Sequence, residues 1–361
     1  MKTLTVDLPG RAYEIQIAHG LLNQAGTCCR AALPKAQRLA VVTDSTVGPL
    51  YGQPVLDSLT QAGFQPCLIT VPAGESSKSL AVLEQVYDSL TGFGLTRTDA
   101  VAALGGGVVG DLAGFAAATL FRGVDFVQIP TTLLAQVDSS VGGKVAIDLK
   151  AGKNLAGAFW QPKLVLMDPA VLDTLPDRIF AEGMAEVVKY GCIFDRDFFA
   201  FLEARPSRAA LMAEITHILY TCCDLKRGVV VEDERDTGRR MLLNFGHTLG
   251  HAYELAGGYT RWSHGAAVAA GMCMAARLGV QLGVTPAELP RRIADLCAAL
   301  DLPVHIPCTQ ADYAAAIGLD KKGTGETISL ILLETLGHAI AHPMKKSQVL
   351  AALDSLPEVP S

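Results

Sequence analysis

The sequence lacks several features that would mark a secreted or nucleic-acid-binding protein. Its nine cysteines are odd in number and show no C-x-x-C spacing, which argues against a disulfide framework and a zinc ribbon. Residues 1–20 contain no apolar signal-peptide core, so we expect reduced thiols and a cytoplasmic protein. Basic side chains are fewer than acidic ones, and the net charge of −6 disfavours a nucleic-acid partner or a basic membrane patch.

Internal repeats, low-complexity segments and membrane spans are also missing from the sequence. Residues 100–121 are apolar and long enough to be considered as a span, but they include Asp111 and five glycines. Half of the 361 residues are hydrophobic, which is enough for a sizeable core, and the length predicts two domains.

Hydrophobic patterns place the two domains in order along the chain. The first part alternates short apolar strands with helices, after a hairpin that turns at Pro9 and Gly10. We therefore predict a Rossmann-like, nucleotide-binding α/β domain over residues 1–170. From about Pro169 the pattern becomes almost wholly helical, and we predict a mainly helical, metal-binding domain over residues 171–361. A ligand cleft is expected between two such domains.

Individual elements follow from the same patterns. The predicted strands after the hairpin are residues 39–43, 67–71, 100–104, 126–129 and 164–167, with a hairpin-type strand near the C-terminus. The predicted helices of the second domain are residues 178–191, 195–203, 207–229, 246–256, 265–282, 287–299 and 309–317.

A glycine-rich turn is the first candidate binding element. Gly105, Gly107 and Gly110 match G-x-G-x-x-G between a predicted strand and a predicted helix, as phosphate binding at a helix N-terminus requires. Asp44 ends an earlier strand, where its carboxylate would either accept hydrogen bonds from ribose hydroxyls or cap the following helix. Because this acid precedes the glycine turn, we predict a nucleotide-binding domain that departs from the standard dehydrogenase arrangement.

Other polar residues surround these elements. Glu75 and Lys78 would either touch a nucleotide or open the helix that follows them. The segment from residue 130 to 163 mixes polar side chains with small apolar ones, which predicts one wall of an active site. Its polar candidates are Thr131, Thr132, Asp138, Lys144, Lys153 and Asn154.

Three histidines form the candidate metal site. His247 and His251 are four residues apart in a helical pattern, so their rings lie on one face, and His264 lies near the start of the next helix. Neutral imidazole suits zinc, and a catalytic zinc usually keeps three protein ligands. Spacing alone would pair His247 with His251 and add a carboxylate, for which Glu186 is the best candidate. The alternatives are core or capping histidines, and a solvated ion pair of Glu186 with Lys189.

Five longer motifs occur in a fixed order along the chain. They read GGGVVGDLAGF, FRGVDFVQIPTTLLAQVDSSVGGK, GKNLAGAFWQP, AEVVKYG and LLNFGHTLGHAYE. With these motifs the chain resembles the 3-dehydroquinate synthase family of the sugar phosphate cyclases, from about residue 10 to residue 345. The resemblance implies a dehydroquinate synthase-like fold, an N-terminal α/β domain followed by a mainly helical domain.

The resemblance also implies roles for individual residues. It makes Glu186, His247 and His264 the ligands of zinc, or of cobalt in its place, and it makes His251 a hydrogen-bonding residue of the active site. Residues that match substrate-binding positions are Asp138, Lys144, Lys153, Asn154, Lys189, Lys226, Arg240, Asn244 and one of Lys321 and Lys322. Residues that match NAD-binding positions are Asp44, Glu75, Lys78, Gly105, Gly106, Gly107, Val108, Gly110, Asp111, Thr131, Thr132, Lys144, Lys153 and Thr174.

The activity implied by the resemblance is the conversion of 3-deoxy-D-arabino-heptulosonate 7-phosphate to 3-dehydroquinate and phosphate. The steps are transient oxidation by NAD, phosphate elimination, re-reduction, ring opening and an intramolecular aldol closure. The resemblance further implies a homodimer in which Arg122 reaches the phosphate in the neighbouring subunit's site. The alternatives are another sugar phosphate cyclase, a metal- and NAD-dependent polyol dehydrogenase, and a non-catalytic protein with a structural zinc.

Overall fold

The computed structural model describes residues 1–319 and 325–357, so Lys321 and Lys322 lie outside the described residues. The chain divides into two compact units. Unit 1 contains residues 1–175 and 215–235, and unit 2 contains residues 176–214 and 236–361. The sequence predicted a single domain boundary at residue 170. The division into units differs from it because one helix from the later part of the chain belongs to unit 1.

Unit 1 is built on a seven-stranded sheet whose pairings are parallel except for its N-terminal hairpin. In chain order its strands are β1 (Lys2–Val6), β2 (Tyr13–Ile17), β3 (Arg38–Asp44), β4 (Gln65–Val71), β5 (Ala100–Gly105), β6 (Asp125–Pro130) and, after a separate hairpin, β9 (Leu164–Met167). The spatial order β1-β2-β9-β6-β5-β3-β4 places β5 inside the sheet, where all six of its residues are buried. Burial on both faces explains its uninterrupted apolar sequence.

The separate hairpin consists of β7 (Lys144–Leu149) and β8 (Gly152–Phe159), paired antiparallel. These strands occupy the segment that the sequence identified only as an active-site wall. Val145 and Ile147 of β7 are buried in the same apolar cluster as Phe126 of β6. The hairpin is therefore fixed to the core by β7, while β8 has no fully buried residue.

Besides short 3-10 and π segments, unit 1 has five α-helices: α1 (Ala25–Ala32), α2 (Gln53–Gln61), α3 (Leu80–Gly92), α4 (Gly107–Thr119) and α8 (Ile215–Glu232). The α4 helix packs closely because it is rich in glycine and alanine. A Cβ on Gly114 would lie 2.3 Å from Val145 Cγ1, so a larger residue there would separate α4 from β7.

The α8 helix explains why the units are not continuous in sequence. It packs against β1, and the Cys223 thiol lies 3.3 Å from the backbone carbonyl of Gln136 in unit 1. The sequence predicted one helix over residues 207–229, but the chain breaks it into α7 (Arg208–Ala213) of unit 2 and α8 of unit 1. Between residues 207 and 227 there is no proline or glycine that would mark this break.

Unit 2 is mainly helical, as predicted. Besides α7, its helices are α5 (Asp177–Phe194), α6 (Arg196–Glu203), α9 (His247–Ala256), α10 (His264–Gln281), α11 (Leu289–Ala299), α12 (Gln310–Leu319) and α13 (Lys346–Asp354). A hairpin of β10 (Thr327–Thr335) and β11 (His338–Lys345) adds the only sheet among its described residues. Across the described residues of both units, no helix is both long and apolar enough to cross a bilayer.

Candidate functional site

Three side chains of unit 2 converge to form a candidate metal centre. Glu186 comes from the middle of α5, whereas His247 and His264 are the first residues of α9 and α10. One ligand atom from each lies within 4.8 Å of the others. The Nε2 atoms of His247 and His264 lie 3.5 and 3.4 Å from Glu186 Oε1. One carboxylate and two imidazoles at this separation match the donor set of a catalytic zinc site.

Glycines allow the three ligand-bearing helices to approach closely. A Cβ on Gly265, next to His264, would lie 2.2 Å from the backbone carbonyl of Glu182 in α5. A Cβ on Gly271 of α10 would lie 2.1 Å from the carbonyl of Gly246, the residue before His247. The backbones that carry the ligands are therefore in direct contact, and their positions depend on these contacts rather than on spacing along any one helix.

Charges around the centre determine which protonation states its histidines adopt. Glu186 is fully buried and forms an ion pair with Lys189, one helical turn further along α5. Burial and the Lys189 ammonium lower the pKa of His247 to about 3, so its imidazole is neutral near pH 7. Burial alone would lower the pKa of His264, but hydrogen bonds to Glu186 and Glu254 raise it to about 10. A metal ion must displace that proton to bind His264.

His251 lies on the same face of α9 as His247, as the spacing predicted, with ring centroids 6.1 Å apart. It is nevertheless outside the group of three side chains that lie close enough to share one ion. Its Nδ1 lies 2.7 Å from Glu254 Oε2, a carboxylate that the sequence analysis missed. The available signal was the spacing His247, His251, Glu254, which repeats at four and three residues along one helix.

Arg240 and Asn244 lie on the short 3-10 helix that precedes α9. Arg240 is buried, and Asn244 Nδ2 donates a hydrogen bond to the carbonyl of Met241 at 2.8 Å. A pocket within unit 2 brings Asn244 together with two of the histidines. Its lining residues are Met241, Asn244, His247, Thr248, His251, Ser329 and Ile331.

A second group of predicted residues surrounds Lys78 in unit 1. The Lys78 ammonium is 2.7 Å from Asp111 Oδ2 and 2.5 Å from Asn154 Oδ1, and Glu75 lies 3.8 Å away. Burial alone would lower the pKa of Lys78, but Asp111 and Glu75 raise it. Burial raises the pKa of Asp111 to about 6 in spite of Lys78. Asn154 has a left-handed φ of 53°, and its backbone N–H donates to Asp148 Oδ1.

The glycine-rich turn lies between β5 and α4, as predicted. A Cβ on Gly105 would lie 2.6 Å from Val109, and one on Gly110 would lie 2.9 Å from Gln128 Oε1. Gly106 is the N-cap of α4 and has no side chain to cover the first backbone N–H groups. Gly107, Val108 and Asp111 form the start of the helix, and Thr131 and Thr132 follow β6 beside the turn.

Two further candidates for the cofactor, Asp44 and Thr174, lie at the end of β3 and on the 3-10 helix after β9. Asp44 ends β3, and its Oδ1 accepts hydrogen bonds from the backbone N–H groups of Thr46 and Val47 at 2.8 and 2.9 Å. These bonds close a turn after β3, whereas the N-cap residue of the π-helix that follows (Gly48–Gly52) is Val47. Thr174 Oγ1 lies 2.5 Å from the Tyr51 hydroxyl.

Cationic candidates for the substrate lie in both units. In unit 1, Lys144 begins β7, Lys153 Nζ is 3.9 Å from Glu75 Oε1, and Lys226 pairs with Asp138. Lys226 was expected in the second domain, but it lies on α8 and therefore belongs to unit 1. Arg122 has a φ of 69° and sits on the short turn after α4.

Comparisons with known proteins cover nearly the whole chain. Two family models match consecutive parts: 3-dehydroquinate synthase N-terminal over residues 68–182, and 3-dehydroquinate synthase C-terminal over residues 183–323. A 3-dehydroquinate synthase from Geobacter metallireducens is 48% identical over 340 residues, covering 93% of this chain and 94% of that protein. One from Clostridium botulinum is 45% identical over 340 residues, covering 94% and 97%.

Solved structures share the same two-part fold. A 2-deoxy-scyllo-inosose synthase complexed with carbaglucose-6-phosphate, NAD+ and Co2+ has a TM-score of 0.87 at 24% identity, covering 99% of this chain and 100% of that one. A 2-epi-5-epi-valiolone synthase from Streptomyces hygroscopicus, with NAD+ and Zn2+ bound, has a TM-score of 0.86 at 28% identity, covering 95% and 96%. A glycerol dehydrogenase from Schizosaccharomyces pombe is more distant, with a TM-score of 0.63 at 17% identity, covering 94% and 88%.

Proposed function

The chain belongs to the 3-dehydroquinate synthase family, and from that membership we propose that it catalyses the reaction for which the family is named. The substrate is 3-deoxy-D-arabino-heptulosonate 7-phosphate and the products are 3-dehydroquinate and phosphate. We class the enzyme as a carbon–oxygen lyase acting on a phosphate, because the carbon–oxygen bond to phosphate is broken by elimination. The observation that carries the proposal is the convergence of Glu186, His247 and His264 in a chain of this family.

The residues of unit 2 fit a bound zinc ion, with cobalt as a substitute. Glu186, His247 and His264 would hold it, since their ligand atoms already lie within 4.8 Å of one another. When bound, zinc supplies a Lewis acid that polarises an alcohol oxygen of the substrate. Lys189 forms an ion pair with Glu186, and the low pKa of His247 keeps that imidazole in the neutral form needed for ligation.

The residues of unit 1 fit NAD. The N-terminus of α4, with Gly106 as its cap, presents backbone N–H groups of the kind that bind a pyrophosphate. Asp44 would accept hydrogen bonds from ribose hydroxyls with the oxygen lone pairs that its bonds to Thr46 and Val47 leave available. When bound, NAD supplies a transient hydride acceptor that is restored within one reaction cycle.

The substrate carries a carboxylate and a phosphate, and the cationic candidates suit these groups. Arg240 offers a guanidinium for bidentate hydrogen bonds, while the ammonium groups of Lys144, Lys153 and Lys226 act as point charges. We propose that His251 donates or accepts a hydrogen bond with the substrate in the pocket that it lines. A protein whose net charge is negative can still bind an anionic sugar acid through individual basic residues of this kind.

Assembly and location complete the proposal. We propose a homodimer, with Arg122 of one subunit serving the site of its partner, as the family resemblance implies. We also propose that the enzyme works in the cytoplasm. All nine cysteines are free thiols, which supports a reducing compartment.

The decisive experiment measures release of inorganic phosphate from the heptulosonate phosphate, with NAD at a substoichiometric concentration. We expect many turnovers per NAD and loss of activity after chelation, restored by zinc or cobalt. Hexose and other heptulose phosphates in the same assay test for another sugar phosphate cyclase. Net accumulation of NADH from a simple polyol, without phosphate release, would instead identify a polyol dehydrogenase.

A further inference from the structure

A buried carboxylate, Glu254 of α9, lies between two histidines of unit 2. Its Oε2 is 2.7 Å from His251 Nδ1, and its Oε1 is 3.5 Å from His264 Nδ1. The Glu254 side chain is 5% exposed, whereas that of His251 is 59% exposed. The carboxylate is therefore fixed inside the unit, and the histidine is the partner that reaches the solvent side.

Helix geometry accounts for this position. His247, His251 and Glu254 are spaced four and three residues apart, so all three project from one face of α9. The α10 helix packs against α9 and begins at His264, where the Ser263 side chain accepts a hydrogen bond from the Ala266 N–H. Glu254 thus contacts the histidine of a neighbouring helix as well as one on its own.

The three imidazoles share one pattern of hydrogen bonding. Each has an oxygen acceptor near its Nδ1: the carbonyl of Phe245 at 3.2 Å for His247, and Glu254 for the other two. The Nε2 atoms of His247 and His264 face Glu186. An imidazole that donates its Nδ1–H to an oxygen presents the Nε2 lone pair on its other side. Acceptors of this kind orient metal-ligating histidines and fix their tautomer.

We propose that Glu254 is a positioning residue that sets the orientation and the Nδ1–H tautomer of His264 and His251 together. Through its two oxygens it directs His264 Nε2 to the metal and leaves His251 Nε2 as the hydrogen-bonding atom in the pocket. The inference rests on the proposed function, since it takes His264 as a zinc ligand and His251 as a substrate contact. It goes beyond that function by tying the two histidines to a single carboxylate.

The number of acceptor oxygens makes the proposal testable. A glutamate offers an acceptor to each histidine, whereas glutamine has nearly the same volume but only one oxygen, opposite an NH2 donor. In Glu254→Gln, one of the two imidazoles must therefore face a donor at Nδ1 and change its tautomer or its orientation. Glu203→Gln is the matched control, because Glu203 of unit 2 pairs with Arg292, and its hydrogen bonds and ion pairs among the described residues do not involve the three histidines of the site.

The experiment compares the zinc-loaded wild type with both variants. Zinc affinity is measured by competition with a chromophoric chelator, and the tautomers are measured from the 15N shifts of labelled histidines. We expect Glu254→Gln to weaken zinc binding by about 10- to 100-fold and to convert one imidazole to the Nε2–H form. The visible spectrum of the cobalt-substituted protein should change in the same variant. Glu203→Gln should keep wild-type zinc affinity and spectra.

Wild-type zinc affinity in Glu254→Gln, with both imidazoles still in the Nδ1–H form, would overturn the proposal. If Glu254→Gln does not fold, Glu254→Asp is measured in its place, because aspartate keeps two acceptor oxygens. In it both imidazoles should retain Nδ1–H, and an Nε2–H form of either would also overturn the proposal. If the wild type itself bound no zinc, the proposed metal ligands would fail instead, so the two failures are distinguishable.

Discussion

Lys226 donates hydrogen bonds to both the backbone carbonyl and the Oδ1 of Asp138, at 2.5 and 2.6 Å, across 88 residues of sequence. The ammonium group is nearly buried, so this pair holds α8 to the segment after β6. The same two residues match substrate-binding positions of the family. Their contact should therefore contribute both to the stability of unit 1 and to substrate binding.

Replacing Lys226 with methionine should affect stability and substrate binding together. We expect the free energy of unfolding to fall by about 1–3 kcal/mol, because Asp138 would keep its charge without this donor. The KM for the heptulosonate phosphate should rise. The control is Arg227→Met, which breaks a more exposed pair with Asp224 and should cost under about 1 kcal/mol. Urea unfolding and steady-state kinetics measure both effects, and equal stability losses would contradict the prediction.

Removing any of Glu186, His247 and His264 should remove the metal. Each substitution to alanine takes away one of three protein ligands, so we expect a larger loss of zinc affinity than the about 10- to 100-fold caused by loss of an orienting residue. His251→Ala should retain zinc while losing activity. Metal analysis of the purified variants decides the matter. A metal-free His251→Ala beside a metal-loaded His264→Ala would show that the ligand set is wrong.

Two substitutions at Asp44 separate its role in the turn after β3 from its proposed role in NAD binding. Asp44→Asn keeps an oxygen that can accept from the Thr46 and Val47 N–H groups, so it should leave stability nearly unchanged. It should weaken NAD binding, because a neutral amide is a poorer acceptor for ribose hydroxyls than a carboxylate. Asp44→Ala should lose both functions. Calorimetric titration with NAD measures the affinity, and wild-type affinity in Asp44→Asn would leave the turn as the sole role of Asp44.

The raised pKa of Asp111 predicts a specific dependence of stability on pH. Its folded-state pKa of about 6 lies above the ordinary value of 3.8, so the folded protein binds this proton more readily than the unfolded chain. Ionised Asp111 therefore disfavours folding above pH 6, and this cost is relieved as the pH falls from about 6 towards 4. The stability of Asp111→Asn relative to wild type should fall over that window by an amount on the order of 2 kcal/mol. Chemical unfolding without NAD at a series of pH values tests this, and a relative stability that rises instead would mean that Lys78 dominates.

Mixing two defective variants, assayed at a substrate concentration well below the KM of Arg122→Ala, tests whether Arg122 acts in its partner's site. Arg122→Ala should raise the substrate KM by about 10- to 100-fold with NAD and zinc binding intact, because hydrogen bonds to charged groups contribute about 1.5–3 kcal/mol. When these subunits exchange with Lys144→Ala subunits, a mixed dimer would carry one site with both defects and one with neither. Activity should then return. Exchange confirmed by mass without recovery would refute action in the partner's site.

The parts of the fold that were predicted correctly are those with local signals. Apolar β5, the glycines from Gly105 and the helix after them follow directly in sequence, and the structure confirms all three. The β8 strand was not predicted, because Gly157 and its alanine neighbours give no alternation and have low strand propensity. The break between α7 and α8 had no local signal either, since it depends on α8 packing against unit 1.

The candidate metal centre shows the limit of spacing arguments. Periodicity placed His247 and His251 on one helical face, but it carried no information about His264, which another helix brings into place. That helix reaches α5 through the contact of Gly265 with Glu182, and such a contact leaves no local pattern. Glu254 was missed for a different reason. Its spacing from His247 and His251 was visible in the sequence, but a glutamate near the end of a helix is usually exposed to solvent.

The placement of residues 215–235 in unit 1 has a consequence for the way the protein is made. The last strand of the sheet, β9, ends at residue 167, but α8 follows only after α5, α6 and α7. At about 5–20 residues per second, a ribosome takes roughly 3–14 s to add the 68 residues between positions 167 and 235. During that interval α8 is not yet available to cover β1 of the nascent sheet. The hydrogen bond between Lys226 and Asp138 cannot form either. A chain released before residue 235 would present this apolar surface to chaperones and to other nascent chains.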